Sequence, residues 1–327
     1  MEAARRSHGR RRRYRYRLRR LTPVVAAVVL AGGAGAWVGS HRPSASVAAS
    51  VHGPLVGARP TRPAVRRAAP ERLLSGGSLL PHRFTPALLA SSAILVDADD
   101  GRVLWELKAH ERRPVASTTK IMTALLALRK LKPHDIVTVD PSVPRVPLVR
   151  EGLRAGERVE AWKLFYSMLL YSGNDDALAL AIATAGDKWT FVHEMNAEAQ
   201  RLGLHDTHFI SPSGVVDRDN YSSAWDLAAL TRVALRNPRF TRIVRTKVEH
   251  VSWSPPTYAK IYVNNNRLLT EYPGANGVKT GYTHKSGPCL VASATRHGVT
   301  LVAVVLDSDD MYSDATRLLN LGFTALR

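Results

Sequence analysis

Hydrophobic and polar positions fall into three regimes along the 327-residue chain. Leu21–Val38 carries no charge and has an apolar centre at Val24–Ala31. Residues 39–83 show no apolar period and are rich in Pro, Ala, Arg and Ser, with prolines at 43, 54, 60, 63, 70 and 81. That composition predicts a solvated, partly extended tether. From Phe84 onward the pattern becomes that of a folded domain. Ala93–Val96 and Arg102–Trp105 read as two strands joined by a turn at Asp97–Gly101. Ile121, Leu125 and Leu128 recur at helical spacing and predict a helix over Thr119–Leu128. Ala161–Tyr171 and Asp175–Ala185 read as helices interrupted at Ser172-Gly173-Asn174, and Lys188–Leu202 and Ala224–Leu235 as two more. Strands follow at Gly277–Thr283, Cys289–Thr295 and Val299–Leu306, then a last helix over Tyr312–Leu321. Strands at both ends with helices between them imply an α/β domain, 84–327, whose first and last segments share one sheet. There is no internal repeat.

Charge changes the picture at the N-terminus. The net charge is +19, but residues 1–20 alone hold ten arginines against Glu2, and residues 41–80 hold six against Glu71. The basicity therefore belongs to the N-terminal region and not to a nucleic-acid-binding face of the folded domain. Tyr14 and Tyr16 among the arginines fit an RNA-binding arm less well than a basic cytoplasmic segment (1–20) ahead of an apolar run (21–38), the pattern of a signal anchor or signal peptide. The run would span about 27 Å as a helix, marginal for a bilayer. The expectation is an uncleaved anchor, with small-residue cleavage sites near Ala36 and Ala48 as the alternative. Either way the domain beyond it is exported. The single cysteine, Cys289, forbids an intramolecular disulfide and reads as a buried strand residue.

Three short segments carry chemistry. Ser117-Thr118-Thr119-Lys120 is an S-x-x-K at a helix start, where residues three apart share a face and the ammonium can reach the hydroxyl. A serine becomes a nucleophile when a base takes its proton, and a lysine can be that base if burial or a neighbouring cation lowers its pKa. Ser172-Gly173-Asn174 offers a second hydroxyl and an amide at a helix break. Lys279-Thr280-Gly281 lies in an apolar strand, where a glycine marks close approach of another backbone or a ligand. Each alone is weak: Ser117 could be a helix cap, and the other two a turn and a chance tripeptide. Their order is what decides, because S-x-x-K, S-x-N and K-T-G together are the set of class A β-lactamases and penicillin-binding proteins.

The sequence resembles the low-molecular-mass D-alanyl-D-alanine carboxypeptidases of the penicillin-binding group over about residues 85–327. The likeness extends to Arg113-Pro114-Val115-Ala116-Ser117, Ile121–Leu125, Met195-Asn196, Leu204–Phe209 with Ser213-Gly214, Asp226-Leu227, Asn264–Leu269 and Gly277–Thr283. It implies a β-lactamase/transpeptidase-like fold, a mostly antiparallel sheet with flanking helices and a helical subdomain. It also implies a serine peptidase acting on the D-Ala-D-Ala ends of peptidoglycan peptides, inhibited by β-lactams and needing no cofactor or metal. Ser117 would be the acyl-ester nucleophile, Lys120 the general base and Ser172 the proton relay. Asn174 would hold Lys120 and the substrate amide. Lys279 would add positive potential. Thr280 and Thr283 would bind the substrate carboxylate, and the backbone N–H groups of Ser117 and Tyr282, beside Gly281, would form the oxyanion hole. Met311 stands where family members often carry an arginine, which leaves a D,D-endopeptidase open. With the chain ending at Arg327, anchoring is expected from the N-terminus.

Other readings have less behind them. No loop glutamate between Asn174 and Lys279 suggests a β-lactamase, and a non-catalytic peptidoglycan-binding module would not need every catalytic position filled. His193-Glu194 begins an H-E-x-x pattern that Ala197 fails to complete, so no zinc site is expected. His193, His205 and His208 read as ordinary surface residues. Asp97, Asp99 and Asp100 read as a hairpin turn, not a calcium loop, and Asp175 and Asp176 as caps of the following helix.

Overall fold

The computed structural model describes residues 73–77, 79–80, 86–215, 219–253 and 259–326. The basic segment 1–20, the apolar run 21–38 and most of the 39–83 tether lie outside these residues. All the described residues belong to one compact unit, Val65–Arg327. Its elements in chain order are β1 Ala90–Asp97, β2 Val103–Leu107, α1 Lys120–Lys130, β3 Ile136–Thr138, β4 Arg158–Glu160, α2 Ala161–Tyr166, α3 Asn174–Ala185, α4 Lys188–Arg201, α5 Ala224–Leu235, α6 Pro238–Val244, β5 Val248–Val251, β6 Lys260–Val263, α7 Leu268–Glu271, β7 Ala275–Thr283, β8 Gly287–Arg296, β9 Val299–Ser308 and α8 Met311–Ala325.

The main sheet has the order β2-β1-β9-β8-β7 and is antiparallel throughout. The first strand lies beside the last, with Ala93 opposite Val305 and Leu95 opposite Ala303. The expected sharing of one sheet by the two ends of the domain therefore holds. β8 and β9 read as unbroken apolar runs because both faces are covered: Leu290–Ala294 and Leu301–Leu306 are fully buried. One face packs on α8, whose Ala315, Leu318, Leu319, Gly322 and Phe323 form the inward stripe. Gly322 is required by proximity, since a Cβ there would stand 2.6 Å from Leu301 Cδ1. The other face packs on the helical layer that includes α1, α3 and α5.

The structure differs from the sequence reading in several places, the short helices α6 and α7 among them. Ordered packing begins before Phe84. Leu73 and Leu74 are buried, Ser75 bridges Arg102, and Leu79 and Leu80 donate to the Val103 and Leu104 carbonyls, so this stretch covers the outer edge of β2. The Arg232 guanidinium fixes it by donating to Leu73 O at 2.6 Å while also holding Ala98 O and Asp99 O. The helix expected over Ala161–Tyr171 is α2 followed by one wider π turn, Ser167–Tyr171. The last helix begins at Met311 and runs to Ala325. Two small antiparallel pairs, β3 with β4 and β5 with β6, were not foreseen, because strands of three or four residues are too short to establish a period.

Candidate active site

Ser117 lies in a tight 3₁₀ turn, Ala116–Thr119, that runs directly into α1. Ala116 has a left-handed φ of 47°, a conformation a non-glycine residue keeps only when its surroundings impose it. Two glycines supply those surroundings. Gly214, at φ +73°, backs onto the Ala116 carbonyl so closely that a Cβ would collide with it. A Cβ on Gly281 would stand 2.9 Å from Val115 O and 3.1 Å from Ser117 N. The glycine of K-T-G is therefore what lets β7 lie against the turn that carries Ser117.

Lys120 is completely buried beneath this turn. Its Nζ lies 2.8 Å from Ser117 Oγ, 2.8 Å from Asn174 Oδ1 and 3.0 Å from Ser213 O. Among the described residues no carboxylate hydrogen-bonds to it. Burial first, and the Lys279 cation second, push the ammonium well below the usual lysine range, against a weaker opposing pull from Asp176 and Asp175. Lys279, itself 1% exposed, donates to Thr280 O at 3.1 Å, and burial lowers its pKa to about 7.

The S-x-N segment is shaped by the π turn. Ser172 adopts φ 77°, its N–H donating to Ser167 O at 2.9 Å. Asn174 is held from two sides: its Nδ2 donates to Pro147 O at 3.0 Å and its backbone N–H to Val149 O at 2.9 Å. The structure thus brings Ser117, Lys120, Asn174, Lys279 and Gly281 together, with Ser172 on the turn beside Asn174. Thr280 is half-buried and Tyr282 is exposed on β7. The Thr283 hydroxyl is engaged in a turn with Ser286, at 2.9 Å.

Sequence reasoning missed the Ser213 carbonyl and the Pro147–Leu153 loop, and it misjudged Asp175 and Asp176. Gly173 occupies the cap position of α3, without a side-chain cap bond. Asp175 instead reaches across to accept the N–H groups of Glu151, Gly152 and Leu153 at 2.8, 2.8 and 3.1 Å. Asp176 is buried against Ser167. The doubled acid in a first helical turn is what suggested caps. Only burial distinguishes the two roles. Cys289 is buried, and burial raises its thiol to about 11, so it is inert. Among the described residues no group of His, Cys, Asp and Glu is arranged to hold a metal, and no helix is long and apolar enough to cross a membrane.

Residues 82–310 match the D-alanyl-D-alanine carboxypeptidase family of peptidases. The chain belongs to this family. The D-alanyl-D-alanine carboxypeptidase DacF of Bacillus subtilis is 34% identical over 244 residues, a match covering 72% of this chain and 62% of the length of that relative. A D-alanyl-D-alanine endopeptidase of Escherichia coli is 30% identical over 239 residues, 71% of this chain and 77% of the relative. The solved Streptomyces K15 DD-transpeptidase superposes with a TM-score of 0.70 at 33% identity, over 73% of this chain and 99% of that one. The family's fold, an antiparallel sheet flanked by helices, is the fold described above.

Proposed function

We propose that this protein is a serine D-alanyl-D-alanine carboxypeptidase that trims peptidoglycan stem peptides through an acyl-enzyme on Ser117 and is acylated by β-lactams. The observation that carries this reading is the buried Lys120 amine, 2.8 Å from the Ser117 hydroxyl and, among the described residues, without a carboxylate hydrogen bond. A neutral lysine in that place takes the Ser117 proton as Oγ attacks the carbonyl between two D-alanines. The Ser117 and Tyr282 backbone N–H groups receive the oxyanion, Ser172 passes a proton to the departing amine, and Asn174 keeps Lys120 in line. Lys279 supplies positive potential that holds Lys120 neutral and, with Thr280 and Thr283, receives the substrate carboxylate. Water then releases the acyl group, or an amine takes it in transpeptidation.

Met311 at the start of α8 favours a second reading, a D,D-endopeptidase, because it brings no cation to the place where family members often carry an arginine. A β-lactamase is disfavoured. Of the glutamates between Asn174 and Lys279, Glu194, Glu198 and Glu271 are committed to Lys130, to Arg129 and Arg201, and to Arg267. We further infer export, with residues 21–38 as the membrane anchor; the arginines before that run and the absence of charge within it support this.

Incubation with benzylpenicillin, followed by intact mass with Ser117→Ala as control, tests the acyl-enzyme. A long-lived adduct absent from the control supports the reading, and D-alanine release from a stem pentapeptide then separates carboxypeptidase from endopeptidase. Rapid turnover of the drug favours the β-lactamase. No adduct on folded protein favours a binding module.

A further inference from the structure

Behind the Ser172-Gly173-Asn174 turn lies a second buried cluster that the mechanism does not use. Ser167 Oγ stands 2.5 Å from Asp176 Oδ2 and 2.9 Å from Glu151 Oε2. All three residues are buried. The other Glu151 oxygen pairs with the Lys260 ammonium from β6, and the Tyr262 hydroxyl sits beside Glu151 and Ser167. Asp175 adjoins the cluster, its charge absorbed by the three N–H groups of residues 151–153. A Cβ on Gly173 would collide with the Asp176 carboxyl, so this group packs directly against the backbone of the turn.

A serine hydroxyl has one proton and can donate to one carboxylate, so two short contacts require a second proton. Charge balance locates it. Lys260 neutralises Glu151 and the backbone nest serves Asp175, so an ionised Asp176 would be a buried charge without a hydrogen-bonded ion pair of its own. Burial, with Asp175 and Glu151 adding to it, holds the Asp176 carboxyl well above the usual carboxylate range. The charged and titratable groups facing it are Asp175 on α3, Glu151 on the preceding loop, Lys260 and Tyr262 on β6, and Lys120 on α1.

We propose that Asp176 is a positioning residue that works as a neutral acid. It donates its proton to Ser167, Ser167 donates to Glu151, and Lys260 balances Glu151, so the turn bearing Ser172 and Asn174 is held in place without a second carboxylate charge behind Lys120. The idea rests on Lys120 as the base that activates Ser117, but its first test needs no activity.

That test is the infrared difference spectrum between wild type and Asp176→Asn at neutral pH. A carboxylic-acid C=O band present in wild type and lost in the variant is expected; no such band in wild type overturns the proposal. If Asp176→Asn does not fold, Ser167→Ala is compared with wild type, and a band whose frequency does not move overturns it. The second test is acylation by benzylpenicillin against pH. Asp176→Asn leaves the midpoint of the acid limb in place, whereas a fall of about half a unit or more would mean that a negative charge had been removed near Lys120. Ser167→Ala lowers the limiting acylation rate about tenfold with half-saturation unchanged, as for loss of positioning; an unaltered limiting rate counts against the role. Wild type that carries the band but is never acylated would sink the catalytic reading and leave the proton assignment standing.

Discussion

Two charge clusters flank the first turn of α3, and they are opposite in kind. On one side Lys120 and Lys279 are both fully buried and neither is bonded to a carboxylate among the described residues. On the other, Glu151, Asp175 and Asp176 are buried together with one partly exposed lysine, Lys260. Burial penalises whichever form is charged, so the same environment strips a proton from one group and adds one to another. In the cationic cluster this favours a free amine beside a serine. In the acidic cluster it favours a carboxylic acid, which can donate a hydrogen bond and so brace a turn.

The largest effect should come from deleting the proposed base. Lys120→Ala is expected to lower the second-order acylation rate by about three orders of magnitude or more, because members of one catalytic unit do not act additively. Intact-mass kinetics would read it, and a loss under tenfold would remove Lys120 from that role. Next comes the cation that depresses it. Lys279→Met removes a positive charge, the Lys120 pKa rises, and the acid limb of the pH–rate profile moves upward. Acylation at pH 7 should fall about 10- to 100-fold. An unmoved limb would mean that burial alone depresses Lys120.

The alkaline side tests the same pair with the sign reversed. The Lys279 ammonium is charged below its pKa of about 7, so kcat/KM for a substrate ending in a carboxylate should decline as the free enzyme passes upward through that value. Lys279→Arg keeps its charge and should carry the plateau to higher pH at a lower maximum. A wild-type profile flat from pH 7 to pH 9 would contradict the depressed value. The smallest effect is expected at Cys289, which lies opposite Gly281 in the β7–β8 register but is buried and protonated. Cys289→Ala should leave acylation within about twofold and cost about 1 kcal/mol in thermal melts.

The cationic cluster was legible in the chain because its members sit in short motifs whose chemistry depends on spacing: Ser117 and Lys120 one helical turn apart, Lys279 and Gly281 on one strand. The acidic cluster was not. Glu151, Ser167, Asp176 and Lys260 come from a loop, a π turn, a helix and a four-residue strand with no common period, and no local pattern announces that Asp176 is buried. The sheet was readable where strands are long and apolar, as in β8 and β9. Residues 73–80 misled for a different reason. Their prolines, serines and arginines upstream look like tether, and what holds them is a long-range contact, the Arg232 guanidinium on the Leu73 carbonyl.

That grip gives the sheet unequal margins. The β2 margin is sealed by main-chain bonds from Ser75, Leu79 and Leu80, and the guanidinium clamps the sealing segment down. β7 forms the opposite margin, and no strand lies beyond it among the described residues. An extended peptide seeking main-chain partners would find the β2 border occupied, whereas at the β7 border it would run alongside Lys279-Thr280-Gly281. The two borders of one sheet therefore differ in what they can still bond, and the covered one is the border farther from the Ser117 turn.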